Sequence, residues 1–432
     1  MLIVDTALAR RAAEGQPVQV GLFGAGYMAK CIVSQVVRHM PGLRIAAICN
    51  RTVSAAEKAY LAAGVDCERI VTVGSAGAMT DALRDGRFAI TDNPTPLCEA
   101  AGIDVLIDAT GHVEYGAGIT LAAIAAGRHM VSMNAELDAT VGPELKARAD
   151  RAGVILTGCD GDQPGVQINL LRFVKSIGLR PLICGNIKGL QDRYRTPETQ
   201  AAFARQWGQT PTMVTSFADG TKISMEQAIV ANATGMTVER RGMIGLHHSG
   251  HVDDMTGLYD IDRVRSLGGI VDYVVGPRPG PGVFVFAEAQ DELQKHYLKY
   301  GKLGDGPLYS FYMPWHLTAI ETPLSAARVV LFEDRVIAPI GPPVVDVVAT
   351  AKTDLVAGSR LDGLGGFMTY GLCERYDLVR RDDLLPMGLA EGCTLRRNIA
   401  KDQVLTWSDV IPPSSSIAHE LRGAQDLRFP CG

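Results

Sequence analysis

The chain reads as an α/β protein whose first 165 residues form a doubly wound parallel sheet. Three observations predict this. The apolar run Val18–Phe23 closes on Gly24-Ala25-Gly26-Tyr27-Met28-Ala29 and passes directly into helical spacing. A second apolar run, Leu43–Cys49, begins about twenty residues later, the length of one strand–helix–strand unit. Beyond it, short apolar runs alternate with helical segments as far as Gly165.

A strand that ends in two glycines and becomes a helix leaves backbone N–H groups bare at the positive end of the helix. Gly24 permits the tight turn. Gly26 lets a pyrophosphate approach without meeting a Cβ, and Tyr27 and Met28 open the helix whose N–H groups would hold it. Ala29 is small enough for close packing of the helix on the strand. The segment after the second strand, Asn50-Arg51-Thr52, carries no acidic residue to grip a free ribose 2′-hydroxyl. It offers donors instead, which suit a 2′-phosphate, so the site is read as dinucleotide-binding with NADP(H) preferred over NAD(H).

The remaining elements follow in order. Residues 3–14 look helical, and Ser54 is a plausible N-cap for a helix over 55–63. Ile70–Val73 and Phe88–Thr91 read as short strands around a helix over 76–84. Ile103–Asp108 is a buried parallel strand that ends in the small-residue turn Ala109-Thr110-Gly111, at the sheet edge where α/β proteins bind ligands. A helix over 119–126, a strand over 129–134 with Glu136 just beyond it, a helix over 144–152 and a strand over 154–157 complete the domain. Thr110, Gly111 and Asn134 are further cofactor-binding candidates.

After Gly165 the pattern changes to that of an α+β substrate-binding domain over 166–337. Helices are expected over 166–176, 198–207 and 225–233, and strands over 181–187, 283–286 and 308–312. The stretch from Gly242 to Gly282 is rich in Gly, Pro and His. A helix over 317–332 is expected and could return to the first domain. The Pro-rich segment 338–343 reads as a linker to a small β-rich module over 344–432, with strand-like runs at 347–351 and 395–399.

The net charge of −5 is small, and no long run of one sign is present, which argues against nucleic-acid or membrane-surface roles. No stretch is long and apolar enough to span a bilayer. The first fifteen residues carry Asp5, Arg10, Arg11 and Glu14 in an amphipathic pattern, unlike a signal peptide. Nine scattered cysteines without a Cys-x-x-Cys read as reduced thiols of a cytoplasmic protein.

Reduction of a carbonyl by a nicotinamide needs a proton source and a group to polarise the oxygen. Lys188 and Lys222 are expected in turns beside glycines, where an ammonium could reach a substrate oxygen. A solvated surface lysine is the competing reading. Glu136, Asp160, Asp162, Asp219 and Glu226 fall near predicted element ends. Two or three could ligate Mg²⁺ or Mn²⁺, although for any single one a cap or turn role is the stronger reading. Glu136, Asp160 and Asp162 are the metal candidates, and Lys188, Lys222, Asp162 and Glu226 the catalytic ones. His247, His248 and His251 with Asp253 and Asp254 invite a zinc reading, but the surrounding glycines favour a loop.

The first half resembles the homoserine dehydrogenase nucleotide-binding domain in its glycine fingerprint, Asp108–Gly111 and Ser132-Met133-Asn134 before an exposed turn. The lysine expected after Asn134 is replaced by Ala135 and Glu136. Nearly the whole chain resembles the 1-deoxy-D-xylulose 5-phosphate reductoisomerase-like proteins, at Gly161–Gly165, Gly185–Gly189, Asp219–Ser224 with Glu226-Gln227-Ala228, and Pro314–Leu317. The C-terminal part resembles a SAF-type β-clip domain at Ala351–Gly358 and Leu395–Val404. The resemblance implies a Rossmann fold, NADPH as donor, a small-molecule substrate pocket in the middle domain, and a homodimer built largely through that domain. It implies an oxidoisomerase of isoprenoid biosynthesis acting on 1-deoxy-D-xylulose 5-phosphate. Met313 stands where the family often has a basic residue, which speaks against a phosphorylated substrate. The rival readings are a simple dehydrogenase of a sugar acid or aldehyde and a non-catalytic NADP-binding sensor.

Overall fold

The computed structural model describes residues 3–430. The chain divides into two compact units. One comprises residues 1–138, 144–165 and 317–338, and the other residues 139–143, 166–316 and 339–432.

The first unit is built on seven strands: β1 Val18–Phe23, β2 Leu43–Cys49, β3 Ile70–Thr72, β4 Phe88–Thr91, β5 Val105–Asp108, β6 His129–Ser132 and β7 Leu156–Gly158. All pair in parallel, in the order β3-β4-β2-β1-β5-β6-β7. Their near-continuous apolar character follows from burial on both faces. On one face Ile32, Val33 and Val36 of the helix Tyr27–His39 pack with Ala56 and Tyr60 of the helix Val53–Ala63. Ala326, Ala327 and Val329 of the helix Thr318–Phe332 join the same cluster. On the other face Met79, Leu97, Ile119 and Ala123 cover the sheet. Strand order reverses between β1 and β5, and the glycine turn after β1 lies at that switch point.

Several boundaries differ from expectation for identifiable reasons. The helix read as 119–126 starts at Val113, because Gly116 and Gly118 obscure the helical pattern. The helix read as 144–152 starts at Ala135 and carries Pro143 inside it. Glu136 therefore lies in the first turn of a helix and is buried, rather than on an exposed turn. The helix after β2 starts at Val53, so Thr52 occupies the cap position and Ser54 is already helical.

The second unit holds a mixed sheet of β8 Arg180–Lys188, β9 Leu246–His247, β10 Ile270–Val275, β11 Gly282–Glu288 and β12 Leu308–Met313, in the order β12-β11-β8-β10-β9. β10 was hidden in the Gly-rich stretch, bracketed by Gly268, Gly269 and Gly276. The rest of this unit contains β13 Val345–Ala351 paired antiparallel with β14 Thr369–Arg375, and β15 Thr394–Leu395 paired with β16 Val410–Ile411.

Residues 344–432 do not separate as an independent module. The reason is the helix Thr221–Thr234, whose residues from Ile223 to Asn232 are all buried. A helix buried on every side needs cover on every side. It packs on β8 and β10 and also on β13 and β14. Ser224 Oγ donates to the Gly371 carbonyl at 3.0 Å, and Asn232 Nδ2 donates to the Val345 carbonyl at 3.1 Å. Among the described residues no helix is long and apolar enough to cross a membrane, and the eight described cysteines are unpaired.

Candidate active site

The candidate cofactor cradle lies within the first unit. Gly24 adopts φ +106°, a conformation side chains rarely take, and a Cβ there would stand 3.0 Å from the Ala109 carbonyl oxygen. Gly26 is the N-cap of the helix Tyr27–His39, and open space lies where its Cβ would be. Bare N–H groups, an unobstructed approach and the positive helix end fit a dinucleotide pyrophosphate. Tyr27 is exposed, Met28 half-buried and Ala29 fully buried against the sheet. Gly24→Ala is expected to cost about 1–3 kcal/mol in backbone strain. A fluorescence titration with NADPH should show weaker binding.

The turn after β5 is locked from inside. Asp108 is fully buried, and its Oδ1 accepts from Thr110 N at 2.9 Å and Thr110 Oγ1 at 2.6 Å. Its Oδ2 accepts from Asn134 Nδ2 at 3.1 Å. Burial pushes the Asp108 carboxyl up, and these donors pull it back. Gly116 makes room for the arrangement, because a Cβ there would lie 2.5 Å from Asn134 Nδ2. Asn134 Nδ2 also donates to the His112 carbonyl, and its Oδ1 caps the next helix by accepting from Leu137 N. The Asn134 side chain is thus committed to the protein. Through Asp108 it positions the Thr110–Gly111 turn.

Beyond β2, Asn50 Nδ2 donates to the Thr52 carbonyl at 2.9 Å, which shapes the loop, while Arg51 and Thr52 are exposed.

Of the metal candidates, Asp160 is buried and paired with Arg328 at 2.6 Å, and it accepts from Ser325 Oγ at 2.9 Å. It ties β7 to the helix Thr318–Phe332 and is structural. Asp219 is likewise structural: Lys352 Nζ sits 2.9 Å from its Oδ2, both groups being buried. His251 Nδ1 caps a short turn by accepting from Asp253 N. Among the described residues no group of three His, Cys, Asp or Glu side chains is arranged to hold a metal ion. Asp162 belongs to the first unit, immediately before the helix Gln163–Ser176, whereas Lys188, Lys222 and Glu226 belong to the second.

Those three come together inside the second unit. Lys188 is the last residue of β8, not a turn residue, and Lys222 is the second residue of the helix Thr221–Thr234. Lys222 and Glu226 are four residues apart on that helix and so share a face. Burial holds the Lys188 ammonium below the ordinary lysine range. Glu226 opposes this, and Lys222 adds to it. A cation in the first turn of a helix opposes the helix dipole, so Lys222 is placed against local preference, as functional groups often are.

Three amides missed in the sequence reading complete the group. Asn186, two residues before Lys188 and on the same sheet face, donates through Nδ2 to Glu226 Oε2 at 2.9 Å. Gln167 Nε2 donates to Asn186 Oδ1 at 2.5 Å, and Gln227 Nε2 donates to Gln167 Oε1 at 3.3 Å. Gln167, Asn186 and Gln227 are fully buried and Glu226 is 4% exposed. The available signal was polar residues inside apolar runs, as in Val166-Gln167-Ile168 and Cys184-Gly185-Asn186-Ile187.

Residues 161–322 match the family model described as "Oxidoreductase DRL, catalytic domain". No curated protein matches the chain. Among solved structures, a probable dehydrogenase from Thermotoga maritima is 12% identical with a TM-score of 0.41, covering 75% of this chain and 91% of that one. Myo-inositol 2-dehydrogenase from Lactobacillus plantarum is 10% identical with a TM-score of 0.39, covering 74% and 91%. Scyllo-inositol dehydrogenase from Lactobacillus casei, solved with NAD(H) and scyllo-inositol, is 12% identical with a TM-score of 0.35, covering 63% and 74%.

A parallel sheet whose glycine turn fits a dinucleotide, in a chain whose residues 161–322 match an oxidoreductase catalytic domain, marks the protein as an NAD(P)-dependent oxidoreductase. The catalytic-domain match sets aside the non-catalytic sensor. It names neither a phosphorylated substrate nor a rearrangement, so the resemblance to reductoisomerase-like proteins is supported only at the level of an oxidoreductase.

Proposed function

We propose that this enzyme reduces, or in reverse oxidises, a small polyhydroxylated carbonyl compound with NADP(H), by simple hydride transfer. The observation that carries the reading is Lys188, half-buried at a strand end beside the buried Glu226. Bound nicotinamide supplies or accepts hydride. An ammonium weakened by burial gives up its proton to a developing alkoxide more readily than an exposed lysine does. Lys222 adds positive charge to stabilise that oxygen, and the neighbouring amides and carboxylate suit hydroxyl groups.

The absence of a phosphate group from the substrate has its own support. Cross-strand register aligns Asn186 with Val283, and Val283 with Met313. Met313 therefore stands in the same row of the sheet, about 10 Å from Asn186. A thioether there offers an anion nothing.

The test is NADPH consumption with sugar acids, aldehydes and 1-deoxy-D-xylulose 5-phosphate, with and without Mg²⁺ or Mn²⁺, followed by product analysis. The proposal expects turnover of an unphosphorylated compound with its carbon skeleton intact. Metal-dependent turnover of the phosphate ester to a rearranged product would replace it with the oxidoisomerase reading.

The NADP preference rests on Arg51, exposed after β2 in the segment Asn50-Arg51-Thr52, which itself carries no acidic residue. Arg51→Ala is expected to weaken NADPH binding about tenfold or more, the worth of a charge-assisted bond to a 2′-phosphate. NADH binding should be unchanged. The homodimer implied by the family resemblance belongs to the same proposal, and sedimentation reads it.

A further inference from the structure

The amide chain runs one way. Gln227 donates to Gln167, Gln167 donates to Asn186, and Asn186 donates to Glu226. Because the Asn186 carbonyl is occupied by Gln167, its N–H groups face Glu226. The chain starts and ends on consecutive residues of one helix. It passes through the helix Gln163–Ser176 and strand β8 on the way, so three elements must be in place for it to close. Buried amides are costly unless bonded, and a chain of them linking three elements favours one geometry over its neighbours.

The charged groups on the elements packed against the helix Thr221–Thr234 have other duties. Asp219 is held by Lys352, Asp346 by Arg422 at 2.6 Å, and Glu374 by Arg241 at 2.6 Å. Asp272 of β10 accepts from Tyr259 Oη at 2.9 Å and from the Ile244 and Gly245 amides. Arg172 and Lys175 lie toward the far end of the helix Gln163–Ser176, where Lys175 acts on Cys184. Tyr273 of β10 pairs in register with Asn186. The groups that act on Lys188 are Glu226 and Lys222.

We propose that Gln167 and Asn186 are positioning residues, whose one-way amide chain holds the Glu226 carboxylate toward Lys188 and so keeps the ammonium charged and aimed. Neither touches the reacting atoms. A hydrogen bond donated to a carboxylate favours its ionised form, and an ionised, fixed Glu226 supports the charge on Lys188. The proposal takes Lys188 as the proton donor of the function proposed above, but its test needs no turnover.

The experiment is NMR of the full-length protein labelled at lysine Cε with ¹³C, following each signal against pH. The Lys188 signal is assigned by its loss in Lys188→Arg. Glu226→Gln removes the carboxylate and should lower the Lys188 midpoint by about one pH unit or more, the effect of losing a close opposite charge. Asn186→Leu, similar in volume but without a donor, should lower it in the same direction. Gln167→Leu, one link further out, should do so by less and serves where Asn186→Leu does not fold. An unchanged Lys188 midpoint in a folded Asn186→Leu or Gln167→Leu protein, with Glu226→Gln shifted, would overturn the proposal. A failed search for a substrate would overturn the functional reading and leave these midpoints as they are.

Discussion

Lys188→Met is expected to lower turnover by about 10²- to 10⁴-fold, the usual worth of a positioned general acid. Affinity for NADPH should be unchanged, because the proposal has the dinucleotide bound through the glycine turn at Gly24 and Gly26 and not through Lys188. The comparison is made on the carbonyl compound identified in the NADPH assay, with binding followed by NADPH fluorescence. Lys188→Arg sharpens the test. Arginine keeps the charge but does not release a proton in the working pH range. If Lys188 only orients substrate through its charge, the arginine variant retains most of the rate. If it donates a proton, both variants are impaired alike.

The pH profile follows with a definite sign. Burial lowers the Lys188 ammonium from its ordinary range, more than Glu226 raises it. Carbonyl reduction by the native enzyme should therefore fall as pH rises through that lowered value, earlier than for an ordinary lysine near ~10.4. The oxidation direction, which needs the free amine, should rise over the same interval. A reduction rate flat up to the ordinary lysine range would remove Lys188 as the acid.

The second large effect concerns stability. Lys352→Met should destabilise the protein by about 3–5 kcal/mol, because it leaves the buried Asp219 carboxylate without its cation. Lys352 Nζ also donates to the carbonyls of Arg195 and Gly366, both at 2.8 Å, so the same ammonium pins two loops. Burial already pushes the Asp219 carboxyl up, and Lys352 is the largest influence holding it down. Without Lys352 the folded carboxyl rises further above its unfolded value. A raised carboxyl binds its proton more tightly in the folded state, so the variant's deficit should shrink as pH falls through the raised value. Urea denaturation at neutral and mildly acidic pH measures it. Asp219→Leu added to Lys352→Met should recover part of the loss. A single variant as stable as the native chain would show that the pair contributes little.

The parallel sheet and its glycine turn were legible in the sequence because their signals are local. A run of apolar residues, two glycines at fixed spacing and a helix within the same thirty residues report on one another directly. The β1–Gly24–Gly26–helix unit and the strand at 43–49 lie where the spacing puts them. Where a local signal was weak, boundaries slipped. Gly116 breaks the helical pattern in sequence, yet in the fold it is required so that Asn134 can approach. Asn134 was singled out because it follows a strand, whereas its three bonds to Asp108, His112 and Leu137, which brace the turn, appear only in the fold.

The proposed catalytic group was half legible. Lys188, Lys222 and Glu226 are chemically conspicuous and sit near element ends, so residue type alone singled them out. The acidic residues beside them in the candidate set did not share their fate. Asp160 and Asp219 look like Glu226 in sequence, but each has an arginine or lysine more than a hundred residues away, held against it by packing.

By itself the sequence determined the parallel sheet, the dinucleotide turn and the residue types available for chemistry, because each depends on neighbours along the chain. Tertiary structure alone decided which polar residues were already satisfied. It decided that residues 344–432 share the helix Thr221–Thr234 with the middle of the chain. It decided too that Gln167, Asn186, Glu226 and Gln227 close one hydrogen-bonded chain. The physical reason is that burying a charge or an amide requires a partner, and the fold, not spacing along the chain, supplies that partner.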